Sequence, residues 1–465
     1  MSNSGKTIKP SVLGGFRDLM PAESYALQNM FDRIRAVYES FGFMPLDTPS
    51  IENKDVLTGG TENFEKSIFV ARIVRGAEDK GETDDTWDQN FALRFDLTVP
   101  LARVVAANPE LPRPFKRYQL GKVWRGEKPQ AGRFREFWQF DFDIIGSDSI
   151  SADIEVIQVM YRTLLALQVP RFVIKFNTRK VLNGLAETVG CNDKATEFFR
   201  LLDKVDKLGI DGVISAMQRK PDNEYDESAL ALTDDQVQVI RLFLELKGTT
   251  ADILQQLSVL IGQSVVGAQG IEELRAISSM LIQLGIPQEY WLVDLSVARG
   301  LDYYTGPVFE TILPDVPEIG SVFSGGRFDG LTDRFMADSN IAGVGASVGV
   351  DRLFVAMQRL GLIAMTDSIT EVMVATHGND ESIKVAAAEL AQALRDRGCK
   401  TESYLGSDTT MRAQLAYAVK RSIPWVVIIG SEELAQNKVA LKNLASREQV
   451  LLTREEVFAK LGQQK

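Results

Sequence analysis

Two neighbouring segments, YQLGKVWRGE (residues 118–127) and EFWQFDFDIIG (residues 136–146), predict a long antiparallel β-hairpin around a turn rich in glycine and arginine. In the second segment, aromatic side chains interleave with polar ones. The polar positions are Gln139, Asp141 and Asp143, and the aromatic ones are Phe137, Trp138, Phe140 and Phe142. A period of two is typical of a half-buried strand.

The hairpin belongs to a larger sheet. Strand-like segments surround it at residues 43–52, 67–74, 91–97, 291–304, 306–313 and 321–330. Residues 22–41 have apolar side chains at helical spacing and predict an amphipathic helix that ends at Gly42. From about residue 191 to 290 the pattern is helical, which indicates an insertion in a sheet-rich domain. A further helix, predicted to begin near Gly345, carries VDRLFVAMQRLG.

The last hundred residues form a separate predicted unit. Residues 362–370 predict a linker, and strand, helix, strand, helix and strand patterns follow it. This order is typical of a small α/β domain. The predicted fold class is therefore α+β, with a sheet-rich domain at residues 1–365 and an α/β domain at residues 366–465.

Composition limits the functional classes. A chain of 465 residues with 45% hydrophobic and 25% charged residues is typical of a globular protein of two or three domains. It has no long apolar run and no secretory signal core, so we expect a cytoplasmic protein. Its cysteines are Cys191 and Cys399 alone, so we expect no cysteine-based metal site. The net charge of −11 argues against nucleic-acid binding, but residues 371–465 carry 13 basic and 12 acidic side chains.

Three segments carry candidate chemistry: RGLDYYTGPVFE (299–310), WRGEKPQAGRFREF (124–137) and GVGASVGVDRL (343–353). Basic side chains beside aromatic ones suit a phosphate and a base. Each segment alone is weak evidence for a binding site. Neither the dinucleotide-binding fingerprint nor a phosphate-loop motif is present. The single histidine, His377, excludes a mechanism that needs several histidines and is expected to be an ordinary side chain. The acidic run at residues 76–90 is expected to be a solvated loop.

Together these segments resemble class II aminoacyl-tRNA synthetases. LDTPSIE (46–52) with Pro49 resembles motif 1, the hairpin resembles motif 2, and GVGASVGVDRL with Arg352 resembles motif 3. RGLDYYTGPVFE and SGGRFDGL (324–331) are similar to the two signatures of histidyl-tRNA synthetases. LRFDLTVPLAR (93–103), with aspartate at Asp96 and Asp143, is similar to the eukaryotic-like branch. The resemblance implies an antiparallel-sheet catalytic domain, a helical insertion and an anticodon-binding domain.

The resemblance also implies a reaction: ATP, accompanied by Mg²⁺, activates L-histidine, which is then transferred to its tRNA. The attacking group is a carboxylate, so positioning and charge stabilisation suffice for catalysis and no general base is needed. The implied catalytic residues are Arg125 and Arg299, and no metal-binding residues are implied. The implied ATP-binding residues are Arg125, Glu127, Arg133, Phe137 and Arg352. The implied histidine-binding residues are Asp143 and Tyr304 at the imidazole, Asp96, Thr98 and Gln139 at the α-amino group, and also Tyr303.

Motif 1 implies a homodimer, and Gln130 is expected near the acceptor end of the tRNA. Three alternatives stay open at this point. One is a non-catalytic paralogue that acts as a regulatory subunit in histidine biosynthesis, although such proteins typically lack the tail and parts of the signatures. Another is a module that holds tRNA without charging it. The last is a class II enzyme of another specificity, which RGLDYY and SGGRFDGL disfavour.

Overall fold

The computed structural model describes residues 8–59, 67–72, 90–128, 132–221, 226, 229–298, 303–337 and 339–462. Arg299, Gln130 and nearly all of the predicted acidic loop lie outside these ranges. The described residues form two compact units. The first comprises those within Met1–Asp18 and Asn29–Ile363, and the second comprises those within Leu19–Gln28 and Ala364–Lys465. No helix among the described residues is long and apolar enough to cross a membrane.

The first unit is built on an eight-stranded sheet and a small two-stranded one. In chain order, the strands are β1 (Met44–Pro45), β2 (Ile51–Asn53), β3 (Phe91–Leu93), β4 (Phe115–Trp124), β5 (Glu136–Ile145), β6 (Val173–Thr178), β7 (Trp291–Val293), β8 (Pro307–Ile312), β9 (Phe323–Arg327) and β10 (Gly343–Gly349). The large sheet has the order β1-β4-β5-β10-β9-β8-β6-β7, and β2 pairs with β3. Its pairs are antiparallel except β1 with β4 and β6 with β7, which confirms the predicted fold class.

The predicted hairpin is confirmed as β4 and β5, paired without interruption from Phe115 opposite Ile145 to Trp124 opposite Glu136. The prediction that its second strand is half-buried is wrong. Asp141 and Asp143 are each only 3% exposed. The reason is that β5 lies in the middle of the sheet, between β4 and β10, where Arg117 of β4 pairs with Asp143 and Ser347 of β10 lies opposite Asp141.

Aromatic side chains cover one face of β5. The helix α1 (Pro21–Ser40) lies within a residue of its predicted bounds. Its Tyr38 ring packs against Phe140 and Phe142 of β5, with ring centroids 5.0 and 4.7 Å away, and its hydroxyl donates to the Phe140 carbonyl oxygen. The polar side chains of β5 therefore lie on the opposite face.

A helix beginning near Gly345 is a wrong prediction. Residues Gly343–Gly349 form β10, and the helix α11 (Val350–Arg359) begins only after it. The glycines serve close packing between strands rather than a loop. A Cβ added at Gly345 would lie 2.1 Å from Oδ1 of Asp143, so only glycine allows that carboxyl to sit beside the strand.

Among the described residues of the first unit are ten further helices; the four before residue 191 were not predicted, and the five between residues 195 and 283 follow the predicted helical pattern. They are α2 (Lys54–Thr58), α3 (Thr98–Ala107), α4 (Ile150–Ala166), α5 (Arg179–Thr188), α6 (Ala195–Leu202), α7 (Val205–Gln218), α8 (Asp234–Glu245), α9 (Thr250–Ile261) and α10 (Val265–Gln283), together with α11. Helices α6 to α10 make up the helical insertion. Its helices α8 and α9 begin with capping boxes formed by Thr233 with Gln236 and by Thr249 with Asp252.

The second unit is an α/β domain, as its strand and helix order predicts. The elements are β11 (Val372–His377), α12 (Glu381–Asp396), β12 (Thr401–Ser403), α13 (Met411–Lys420), β13 (Trp425–Gly430), α14 (Ser431–Ala435), β14 (Val439–Asn443), β15 (Gln449–Leu452) and α15 (Arg454–Gly462). The sheet order is β12-β11-β13-β14-β15, and both faces carry a buried apolar cluster. Strands β14 and β15 and the last two helices were not predicted. His377 is exposed at the end of β11.

Candidate active site

Two adjoining chambers lie on the polar face of β5 in the first unit. We call them the outer chamber, of about 310 Å³, and the inner chamber, of about 260 Å³. Residues of β5, β10, β9 and the end of β4 line both chambers, so the two form one continuous cleft. The shared lining residues are Arg125, Gln139, Ser321, Ser324, Ser347 and Arg352.

Arg125 is held in place where β4 ends. Its Nε donates to the Phe95 carbonyl oxygen at 3.1 Å, and its guanidinium lies 5.1 Å from the centre of the Phe137 ring. Its backbone N–H donates to the Arg135 carbonyl oxygen at 2.9 Å. These contacts leave the remaining guanidinium N–H groups available at the junction of the two chambers.

Arg352 enters the cleft from the first turn of α11, where its Nη1 donates to the Ser321 carbonyl oxygen at 3.1 Å. The neighbouring Asp351 anchors this helix to the sheet. It accepts from the Trp138 backbone N–H at 2.8 Å and forms a 2.7 Å ion pair with Arg17. Arg17 in turn lies 4.2 Å from the Phe134 ring centre. The sequence analysis did not single out Arg17 or Asp351.

The outer chamber is rich in arginine. Arg125, Arg133 and Arg352 line it, and the lining acids are Glu127 and the paired Asp351. Glu127 and Arg133 are exposed at the ends of the hairpin arms, on either side of residues 129–131, which the structure does not describe. A cation-lined cleft with an accessible aromatic ring suits a nucleotide.

The inner chamber is acidic. Asp96 is 2% exposed, and its Oδ1 accepts from the Val99 backbone N–H at 3.1 Å, at the start of α3. Thr98, the first residue of α3, is hydrogen-bonded through its side chain to Tyr303. Asp141 and Gln139 of β5 complete the polar lining. The chamber therefore presents carboxylate and amide groups to anything that enters it.

Asp141 and Asp143 form a buried acidic pair on β5, opposite Gln119 and Arg117 of β4. Arg117 is fully buried, and its Nη2 lies 2.7 Å from Oδ2 of Asp143. Burial raises the pKa of Asp141 to about 7 and that of Asp143 to about 6, although Arg117 favours the charged form of both. The site thus keeps carboxyl groups that are poorly solvated.

Tyr303 and Tyr304 close the inner chamber, with ring centroids 5.0 Å apart. Burial, reinforced by the negative charges of Asp143 and Asp141, raises the pKa of Tyr304. Burial and its tyrosine neighbour likewise raise the pKa of Tyr303. Both hydroxyls therefore stay protonated at neutral pH and can donate a hydrogen bond.

The structure brings most of the predicted site residues together. The outer chamber contains Arg125, Glu127, Arg133, Phe137 and Arg352, and the inner chamber contains Asp96, Thr98, Gln139, Tyr303 and Tyr304. Asp143 does not line either chamber and lies behind them, against Gly345 and Arg117. Arg299 lies outside the described residues. Within the described residues, no group of three acidic, histidine or cysteine side chains could hold a metal ion.

The sequence analysis missed several lining residues, among them Asp141, Ser347, Ser324 and Glu310. The period of two in QFDFD could have identified Asp141, because it lies on the same strand face as Gln139 and Asp143. No local signal identifies Ser347, Ser324 and Glu310. They enter the site because the register sets Asp141 opposite Ser347, Ser347 opposite Ser324, and Ser324 opposite Glu310.

A sequence model of the histidyl-tRNA synthetase family matches residues 15–353 of this chain. The chain belongs to the histidyl-tRNA synthetase family. A second sequence model, of the anticodon-binding domain, matches residues 371–464. ATP use is implied by family membership, and the anticodon-binding domain points to tRNA. The assignment to a eukaryotic-like branch stays a prediction.

Curated relatives match this chain over nearly its whole length. The histidine–tRNA ligase of Clostridium tetani is 39% identical over 460 residues, which cover 97% of this chain and 98% of that protein. The histidine–tRNA ligase of Wolinella succinogenes is 38% identical and covers 94% of each chain. Among solved structures, a histidyl-tRNA synthetase from a Nostoc species superposes with a TM-score of 0.82 at 29% identity, covering 99% of this chain and 100% of the other.

Proposed function

We propose that this enzyme activates L-histidine with ATP to histidyl-adenylate and transfers the histidine to its tRNA, releasing pyrophosphate and AMP. The observation that carries the proposal is the division of one cleft into a cationic outer chamber and an acidic inner chamber that share Arg125 and Gln139. The relatives named histidine–tRNA ligase support it over nearly the full chain. A non-catalytic paralogue has less support, because the predicted chemistry-bearing side chains of both described chambers are present.

ATP is assigned to the outer chamber. Its adenine would stack on Phe137, against Arg352, while Glu127 and Arg133 contact the nucleotide. A ring face next to cations suits a base joined to phosphates. The described residues include no acidic cluster that fits Mg²⁺. We therefore expect the phosphates of ATP to hold the ion, with few protein ligands, and assign it no separate step.

Arg125 is assigned to the α-phosphate, because it stands where the two chambers meet and its guanidinium is already oriented by Phe95 and Phe137. The histidine carboxylate, an anion, attacks this phosphorus, so the protein needs only to align the reactants and stabilise the growing negative charge. The resemblance assigns the same role to Arg299. Two arginines can hold phosphate oxygens bidentately.

Histidine is assigned to the inner chamber. Asp96, Thr98 and Gln139 would bind its α-ammonium, and Oε1 of Gln139 is buried without a hydrogen-bond partner among the described residues. Tyr303 and Tyr304 would enclose the ring, with Asp143 behind them. Buried polar groups that are satisfied only by the right ligand discriminate strongly against analogues that lack the matching groups.

The remaining assignments rest on the family resemblance. We propose that residues 1–365 form the catalytic domain and residues 366–465 the anticodon-binding domain, which reads exposed bases of the histidine tRNA. We propose a cytoplasmic homodimer whose interface includes the motif 1 segment with Pro49. Sedimentation and tRNA binding by the chain shortened after residue 365 test these points. A monomer, or unchanged tRNA affinity after shortening, contradicts them.

The deciding experiment is ATP–pyrophosphate exchange with a panel of amino acids. We expect exchange with histidine far above every other amino acid. No exchange with histidine, or a higher rate with another amino acid, contradicts the proposal. Arg299→Ala should lower the rate by about 10²-fold or more, as expected for loss of a charge-stabilising donor. Near-normal exchange in that variant removes the role assigned to Arg299.

A further inference from the structure

The stretch of chain that carries Arg299 is bracketed by contacts to one place in the fold, where β6 ends and α5 begins. We call residues 177–180 the β6–α5 junction. The described residues nearest to Arg299 are Ala298 before it and Tyr303 after it. Neither the family resemblance nor the proposed function assigns a role to this junction.

Asn177 holds the chain that precedes Arg299. It is fully buried, and its Nδ2 donates to the carbonyl oxygens of Leu295 at 3.3 Å and Val297 at 3.2 Å. Its Oδ1 accepts from the Thr178 backbone N–H at 2.8 Å, which fixes the orientation of the amide. Leu295 and Val297 are buried and lie outside any strand, so their carbonyl groups need a donor from elsewhere in the fold. Asn177 supplies that donor.

Arg179 contacts the chain on both sides of Arg299. Its Nη1 donates to the Ala298 carbonyl oxygen at 3.4 Å, and its backbone N–H donates to the Gly306 carbonyl oxygen at 2.9 Å. Ala298 is bonded directly to Arg299 in the chain. The first residue of α5 therefore restrains both ends of the stretch that carries Arg299.

The same junction contacts the helical insertion. The Arg179 guanidinium lies 4.4 Å from the centre of the Phe199 ring, which is 7% exposed on α6. Thr178 donates through its hydroxyl to Glu273 of α10 at 2.7 Å, and Lys180 forms a 2.6 Å ion pair with the same carboxylate. A single side chain, that of Arg179, thus joins α6 to the residue that precedes Arg299.

We propose that Arg179 is a positioning residue for the activation of histidine: it holds the chain on both sides of Arg299 and ties that chain to helix α6 of the insertion. This inference rests on the proposed function, because Arg179 acts through the charge stabilisation proposed for Arg299. Charge stabilisation needs a donor that is already in place, and a small displacement of the donor lowers the rate strongly. Asn177 supports the same chain from the sheet.

A double-mutant cycle between Arg179→Met and Arg299→Ala tests the proposal by ATP–pyrophosphate exchange with histidine. Alone, Arg179→Met should lower kcat by about 10-fold, since a charged hydrogen-bond donor is lost. The Michaelis constants for histidine and ATP should stay within about twofold, because both chambers keep their lining. Added to Arg299→Ala, the same change should cost less than about twofold, because the residue it positions is gone.

Two results of this cycle overturn the inference. A similar fold-loss with and without Arg299 means that Arg179 acts independently of it, as a merely structural residue would. An unchanged kcat in the single variant, or a loss confined to the Michaelis constants, means that Arg179 does not position a group for the chemical step.

Phe199→Leu tests the tie to the insertion and keeps the proposal testable if Arg179→Met unfolds. It removes the aromatic ring from the guanidinium but leaves the hydrogen bond to Ala298 possible. We expect kcat to fall by about 2- to 5-fold, as for loss of a cation–π contact, and to change much less in the Arg299→Ala background. An unchanged kcat overturns the tie to α6, and an equal loss in both backgrounds overturns the positioning role.

Arg171→Met is the matched control, because it makes the same substitution just before the other end of β6. Arg171 is exposed and forms a 2.6 Å ion pair with Asp315. Such a surface pair contributes little to stability, so we expect exchange and unfolding temperature close to those of the parent chain. If Arg171→Met lowers kcat as much as Arg179→Met does, the effect is not specific to the junction and the inference is wrong.

Failure of this inference differs from failure of the proposed function. If the parent chain shows no exchange with histidine, the proposed function is wrong and this inference fails with it. If the parent exchanges normally and Arg299→Ala is slow, but Arg179→Met costs the same in both backgrounds, the proposed function stands and only the role of Arg179 is wrong.

Discussion

The outer and inner chambers share one cleft but are built in opposite ways. The outer chamber is lined by arginines at the open ends of β4 and β5 and at the start of α11; Arg133 is exposed, and Arg125 and Arg352 are half-buried. The inner chamber is lined by carboxyl and amide groups in the middle of the sheet, where they are buried. Cations at the edge can stay hydrated, whereas buried acids need protein partners or a ligand.

The difference shows how a single site accommodates substrates of opposite charge. ATP brings phosphates to the arginine end, and histidine brings an ammonium and a ring donor to the acidic end. Burial makes the acidic end selective, because unsatisfied groups cost more where water is excluded. Exposure makes the cationic end tolerant of a solvated, mobile nucleotide. The reacting groups meet where Arg125 and Gln139 border both chambers.

The largest effect on the inner chamber is expected when the buried positive charge of Arg117 behind it is removed. Arg117→Met leaves Asp143 without its counter-charge, and we expect the free energy of unfolding to fall by about 3–5 kcal/mol. Chemical denaturation of the first unit measures this loss. The double variant with Asp143→Leu, which removes both charges, should recover much of it. An Arg117→Met protein as stable as its parent would mean that the pair is not buried.

Arg125→Ala tests the outer chamber. We expect pyrophosphate exchange with histidine to fall by about 10²- to 10³-fold, because a charge-stabilising donor is lost. Histidinol binding should weaken much less, since Arg125 only borders the inner chamber and its carboxyl and amide groups are unchanged. Calorimetry with histidinol provides the control. Equal losses in exchange and in histidinol binding would show that the two chambers do not act separately.

Phe137→Leu sharpens the assignment of adenine to the outer chamber. Loss of an aromatic platform costs about 1–3 kcal/mol per stacked base, so the Michaelis constant for ATP should rise by roughly 10-fold. The Michaelis constant for histidine should change little. Exchange kinetics at varied ATP and varied histidine separate the two constants. If only the Michaelis constant for histidine rises, the assignment of adenine to the Phe137 ring is wrong.

The pH dependence of stability tests the burial of the acidic end without any ligand. The pKa of Asp141 is raised to about 7 in the folded chain, against an ordinary value near 4, so the folded state binds the extra proton between these values. Stability without ligand should therefore fall as the pH rises from about 4 to about 7. Thermal unfolding of the parent and Asp141→Asn should show a shallower fall in the variant. Parallel curves would mean that Asp141 does not titrate in this range.

Local patterns predicted much of the fold. The hairpin, the first helix, the helical insertion and the alternation of strands and helices at the start of the second unit follow from periodicity and end signals, which depend on neighbouring residues alone. The run of glycines at Gly343–Gly349 misled the prediction, because glycine marks both loops and close strand packing. The missed strands β14 and β15 follow the last predicted element and extend its sheet by consecutive antiparallel pairings.

The sequence by itself determined the alternation in QFDFD and the basic, aromatic character of the hairpin ends, since these are properties of consecutive residues. It therefore predicted which residues of β5 share a face. Only the tertiary structure decided that this face is buried, because that depends on β4 and β10 flanking the strand and on distant residues such as Tyr303 and Tyr304 lying over this face. It also decided that Asp143 is held by Arg117 while Asp141 lines the chamber, because strand register and packing depth distinguish two carboxyls that the sequence presents as alike.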